Sequence, residues 1–96
     1  MVKIRKGGMR GRFRNDWLDA RFSFSFGAYR DPEYAGYSDL MVLNEDRVRP
    51  GRGFGAHSHA DIEAISYPLS GTIEHRDSAG NVARMRPGDV QRMTAG

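Results

Sequence analysis

The sequence predicts an all-β domain of short antiparallel strands, arranged as a sandwich or barrel. Three observations carry this reading. Short apolar or alternating segments recur at intervals of about ten residues, with turn chemistry between them. Twelve glycines and four prolines make up a sixth of the 96 residues, which favours turns over long helices. Only one short stretch, DWLDA, reads as helical, as a single turn capped by Asn15 or Asp16 or else irregular.

Taken in order, residues 2–5 offer a short edge strand. RFSFSF at residues 21–26 alternates with period two, which places Phe22, Phe24 and Phe26 on one face of a strand, and Gly27 ends it. Residues 28–38 are loop-like. Residues 40–43, LMVL, form an apolar run too short for a helix and read as a buried strand. Asn44, Glu45 and Asp46 then pair with Arg47 or shape a turn. Residues 62–69 and 72–76 are strand-like, separated by a turn at Ser70 and Gly71. DSAGN at residues 77–81 is a hairpin turn, residues 82–85 return, RPGD at 86–89 is a tight turn, and another strand begins at Val90. Trp17 and the three phenylalanines are assigned to the core.

Composition narrows the function. There is no cysteine, which excludes disulfide scaffolds, cysteine zinc sites and cysteine nucleophiles. No apolar run approaches the roughly 20 residues that span a bilayer, and the start of the chain lacks the apolar stretch of a secretory signal. A cytoplasmic protein without a membrane partner is expected. The formal charge is +3 and is uneven. Lys3, Arg5, Lys6, Arg10, Arg12 and Arg14 lie in the first fourteen residues, which hold no acid, so the remainder is slightly acidic. Residues 1–16 therefore read as a basic N-terminal arm. Such arms can meet phosphates, but no aromatic ring is interleaved before Phe13. A solvated leading segment is the expected reading, and nucleic acid is not expected as a direct partner.

The chemistry-bearing segment is GRGFGAHSHADIEAISYPLSG, residues 51–71. His57 and His59 are two apart. In an extended strand they point to one face and can meet at one metal ion. Asp61 and Glu63 share their parity. Neutral imidazoles with a carboxylate suit iron, zinc, nickel, copper or manganese. His75 sits before a turn and reads as structural or exposed. Gly51, Gly53 and Gly55 do not form a phosphate loop, because no GK[ST] follows. Gln91 and Arg92 are weak candidates for lining a pocket.

The pattern GxxxxxHxHxxxE followed by a glycine resembles the first motif of the cupin superfamily. The words WLDARFSFSFG, LMVLNEDRVRPGRGFGAHSHADIEAISYPLSG, EHRDSAGN and PGDVQRMTAG are similar to the N-terminal domain of the pirin family. The spacing between Glu63 and Gly71 is one residue longer than in the general cupin pattern.

The resemblance implies a cupin-type antiparallel β-barrel or jelly roll over residues 17–96, lacking its closing strands and the C-terminal cupin domain. It implies His57 and His59 as metal ligands, with Glu63 as a supporting neighbour or a ligand. A further His and Glu would come from a second motif just after QRMTAG. Fe(II) is the metal expected, with nickel, manganese, copper or zinc as alternatives. In the complete protein the resemblance implies a quercetin 2,3-dioxygenase type of oxidoreductase acting on a flavonol-like molecule with O2. The alternative is a non-enzymatic metal- or redox-sensing regulator that binds protein or DNA. The 96 residues alone are expected to be inactive.

Overall fold

A computed structural model describes residues 1–55, 62–76 and 79–95. Apart from two 3-10 turns, Gly7–Met9 and Pro32–Tyr34, every regular element among these residues is a strand. All strand pairs are antiparallel. The chain divides into two compact units, Met1–Gly55 and Ala56–Gly96, each described by itself.

The first unit is a three-stranded sheet in the order β1 (Gly11–Arg14), β2 (Leu18–Phe22), β3 (Asn44–Val48). Its core follows from the alternation of β2. Leu18, Ala20 and Phe22 point to one face and are buried, while Asp19 and Arg21 point to the other. Trp17 and Tyr29 pack against the buried set. Gly11 is buried opposite Phe22 because the Tyr29 ring fills the space a side chain would need.

The β1–β2 turn uses the residue expected to cap a helix. The Asn15 Oδ1 accepts from the backbone N–H groups of Trp17 (2.9 Å) and Leu18 (2.8 Å). The Asn15 N–H donates to the Leu18 carbonyl at 2.9 Å. Capping chemistry here closes a hairpin, and no helix forms.

Three expected strands are displaced. No strand forms over residues 2–5. That segment is held instead by Arg5, whose guanidinium donates to the carbonyls of Ser23 and Met9 and to the Tyr29 hydroxyl, and lies 3.6 Å from the centre of the Tyr34 ring. The strand of the basic segment is β1, further along.

The strand expected over residues 21–26 ends at Phe22. Beyond it the Ser25 hydroxyl accepts from the Asp31 N–H (2.9 Å), while the Ser25 N–H donates to Tyr34 (2.8 Å). The chain therefore curls into a loop, with a tight Phe26–Tyr29 bridge over Gly27 at φ 56°. Phe22 is buried, Phe24 half-buried and Phe26 exposed, so the three do not share one burial.

The apolar run at residues 40–43 is not a strand, and all four of its residues are exposed. Leu40 closes a small turn with Tyr37. The strand is the polar NEDRV that follows, because hydrogen bonding to β2 selects the segment in register with it, whatever its hydropathy.

The second unit holds two two-stranded sheets, β4 (Ile62–Ser66) with β7 (Gln91–Ala95) and β5 (Ile73–Arg76) with β6 (Val82–Met85). The expected tight turn at residues 86–89 is present. Asp89 N–H donates to the Arg86 carbonyl at 2.9 Å, and the Asp89 carboxylate accepts from the Arg86 N–H at 2.8 Å. Pro87 precedes Gly88 at φ 97°, the pairing a type II turn selects. Residues 77–78 of the expected hairpin turn lie outside the described residues. The described strands do not close into a barrel.

Candidate functional site

The segment leading to the histidine pair is fastened to the first unit. After β3, Arg49 N–H donates to the Trp17 carbonyl at 2.8 Å. Residues 49–52 then form a turn closed by the Arg52 N–H and the Arg49 carbonyl at 3.1 Å, with Pro50 followed by Gly51 at φ 80°. Arg52 lies over the Trp17 ring at 5.6 Å, and Phe54 meets the same ring edge-on at 5.5 Å. Trp17 thus has two roles. It packs against the buried cluster and also holds the glycine-rich segment as far as residue 54. Sequence reading assigned Trp17 to the core alone. Nothing in the local pattern links it to residues so far along the chain.

His57 and His59, with Asp61, lie outside the described residues. Glu63 is described. It is the second residue of β4, directly opposite Thr94 on β7. Its Oε1 lies 2.9 Å from Arg92 Nη2, a diagonal pair on one face of the two strands. Both side chains are more than half exposed, and exposed pairs of this kind contribute about 0.2–1 kcal/mol. Strand alternation puts Gln91 and Arg92 on opposite faces, so of the two expected pocket candidates only Arg92 shares the face of Glu63.

His75 is exposed on β5 opposite Ala83. Its neighbour Glu74 is occupied on the surface of the hairpin, 2.6 Å from Arg76 and 3.6 Å from Arg84. The hydrogen bond from Arg76 holds the Glu74 carboxyl below the usual glutamate range. Among the described residues, no group of three or more histidine, aspartate or glutamate side chains is close enough to share a metal ion. No helix of the described residues is long and apolar enough to cross a membrane.

Comparison with known proteins places these elements in context. The sequence profile of the Pirin family matches residues 4–96. The chain is 45% identical over 96 residues to quercetin 2,3-dioxygenase of Escherichia coli K12, covering 100% of this chain and 42% of that protein. It is 42% identical over 95 residues to a putative quercetin 2,3-dioxygenase of Mycobacterium tuberculosis, covering 99% of this chain and 39% of that protein. The crystal structure of YhhW from Escherichia coli matches with a TM-score of 0.95 at 45% identity, covering 100% of this chain and 41% of the other. A crystal structure of the bacterial pirin YhhW in complex with nickel(II) matches with a TM-score of 0.94 at 44% identity, covering 42% of that chain. The chain therefore spans about two fifths of the length of the relatives it matches.

Proposed function

This chain belongs to the pirin family, and on that premise we propose that it carries part of the metal site of a quercetin 2,3-dioxygenase-type oxidoreductase, with His57 and His59 as metal ligands. The observation that supports this most is the 44%-identical bacterial pirin whose crystal structure contains nickel(II). The donor set fits a divalent metal. Two neutral imidazoles two residues apart suit first-row divalent ions, and the chain offers no thiolate that would favour a different set. Fe(II) is the resident metal proposed, because a redox-active ion matches an oxygen-consuming reaction. The chemistry it supplies when bound is Lewis-acid polarisation of a flavonol oxygen together with electron exchange with O2.

This chain's own residues hold and surround that centre. His57 and His59 would bind as neutral bases, so protons compete with the metal for their ring nitrogens. Glu63 already accepts a hydrogen bond from Arg92. That bond supports reading Glu63 as a supporting neighbour rather than a ligand, since Arg92 offsets its negative charge. The turn at residues 49–52 and the Trp17 stack anchor the segment that precedes the two histidines. The cytoplasm is the compartment proposed, and a flavonol and O2 are the proposed partners.

The test uses the full-length protein, with the second motif and C-terminal domain that the resemblance implies, reconstituted in turn with Fe(II), Ni(II) and Mn(II). Loss of quercetin absorbance is expected in at least one metal form. His57→Ala and His59→Ala should each abolish that loss and lower retained metal well below one equivalent after dialysis. Unchanged quercetin absorbance in every metal form rejects the enzyme reading. Full metal retention in both variants rejects the ligand assignment.

A further inference from the structure

The face of the three-stranded sheet opposite the core is made almost entirely of charge. Strand register places Arg12 opposite Arg21 and Arg14 opposite Asp19 on the β1–β2 side. On the β2–β3 side, Arg21 faces Glu45 and Asp19 faces Arg47. Directly opposed residues share a face, and Arg10 joins this set by reaching Glu45 at 3.4 Å. Five arginines thus meet two carboxylates. The excess of three positive charges equals the formal charge of the whole chain.

Both carboxylates are already engaged. Asp19 takes a two-pronged bond from Arg12, at 3.1 and 3.0 Å. Glu45 takes Arg10. Among the described residues, Arg14, Arg21 and Arg47 then have no ion pair and no side-chain hydrogen bond. Arg12 directly opposite Arg21 is a like-charge pair, which destabilises a sheet by itself. The face concentrates arginines around a cavity of about 480 Å3, lined by Arg10, Arg21 and Arg47 with Asp19 and Glu45, and edged by Gly7 and Gly8. That volume lies within the range of small-molecule pockets.

We propose that this cavity binds a small polyanion carrying at least two phosphate groups, with Arg21 and Arg47 as its main contacts and Arg10 recruited from Glu45. Arginine suits the task, because its planar fork meets phosphate oxygens two at a time. Arg21 and Arg47 are diagonal neighbours across β2–β3, about 7–8 Å apart at the backbone, so their side chains reach adjacent phosphates of one molecule. A small ligand is favoured over a nucleic-acid backbone for two reasons. The two carboxylates interrupt the continuous basic track that a backbone follows, and no aromatic ring lines the cavity to stack a base. The proposal is independent of the metal site.

The experiment is a calorimetric titration of the purified protein with tripolyphosphate at low salt. One saturable site is expected. Arg21→Gln and Arg47→Gln should each raise Kd about tenfold, the loss expected for a charged hydrogen bond. Arg30→Gln, whose side chain bonds only its neighbour's carbonyl, should leave Kd unchanged. Inorganic phosphate should bind more weakly than tripolyphosphate. Circular dichroism of the two cavity variants should match the parent protein, which separates lost binding from lost folding. Absence of saturable binding overturns the proposal, as does parental affinity in both cavity variants. Equal affinity for inorganic phosphate overturns the requirement for two phosphates. A duplex oligonucleotide that binds more tightly than tripolyphosphate, and weakens on Arg14→Gln, would make the face a nucleic-acid surface instead.

Discussion

Both units leave apolar side chains exposed, Leu40 to Leu43 among them in the first, but among the described residues only the first closes a buried cluster. In the first, β2 buries Leu18, Ala20 and Phe22 under Trp17 and Tyr29, and the surrounding loop is tied by Arg5, Ser25 and Asp31. In the second, Pro68 and Met85 are buried, while Ile62, Ile65, Tyr67, Leu69, Ile73, Val82 and Val90 are exposed. The contrast is physical. A three-stranded sheet with one apolar face and a cover can close a small core, whereas two-stranded ribbons are marginal by themselves.

The largest expected effect tests that contrast directly. Phe22 is 9% exposed and touches the rings of Phe26 and Tyr29. Phe22→Ala should cost about 3–5 kcal/mol in urea unfolding, through lost burial and a cavity. Ile65 is 71% exposed, so Ile65→Ala should change stability by no more than about 0.5 kcal/mol. A cost above roughly 1 kcal/mol for Ile65→Ala would break the comparison, because it would show this face covered in the protein.

Gly11→Ala comes next. A methyl group at Gly11 would sit 2.5 Å from the Tyr29 ring. That ring cannot swing aside freely, because its hydroxyl accepts from Arg5 at 2.9 Å and donates to Asp31 at 3.3 Å. The expected loss is about 1–3 kcal/mol, typical of overpacking. Gly53→Ala, where an added methyl meets nothing within 4 Å, is the matched control and should melt like the parent. Equal melting temperatures for the two variants would show that the first unit is looser than its contacts imply.

Much of this organisation is legible in the sequence, where local chemistry decides. The RPGD turn, the strands near residues 62, 73 and 82, and the all-β class follow from alternation and from Pro-Gly and Ser-Gly signals. The His-x-His step is legible by spacing, and its reading as a metal site comes from resemblance to the pirin family; His57 and His59 lie outside the described residues. The first unit is less legible because its strand choice is a tertiary matter. LMVL has the stronger strand hydropathy, yet NEDRV pairs with β2, since register is fixed by which backbone groups meet. FSF beyond Phe22 loses its strand to the serine hydroxyl and to the loop it closes. The basic segment reads as an arm because charge counts are linear. Folding brings Arg12 and Arg14 beside Arg21 and Arg47 from later in the chain, which no linear count contains.

The smallest predicted effect separates the two faces of the first sheet through two aspartates of opposite behaviour. Asp46 lies opposite Ala20, on the core side of β3, and burial raises its carboxyl above the ordinary value of 3.8. A raised folded-state value means that the protonated form fits the fold better. Its contribution to stability is present below the ordinary value and is lost as pH rises through the folded one. Asp46→Asn should therefore raise the melting temperature at pH 7, within the roughly 0.5 kcal/mol expected of a partly exposed site, and the gain should vanish in acid. Asp19 lies on the charged face, where the Arg12 hydrogen bond holds its carboxyl below the ordinary value. Its contribution is present above that ordinary value and is lost as pH falls through the folded one. Asp19→Asn should lower the melting temperature at pH 7, with the deficit closing in acid. Melting curves of both variants from pH 7 to pH 3 check the signs, and shifts of the same sign at pH 7 would contradict the opposite effects of burial on Asp46 and of Arg12 on Asp19.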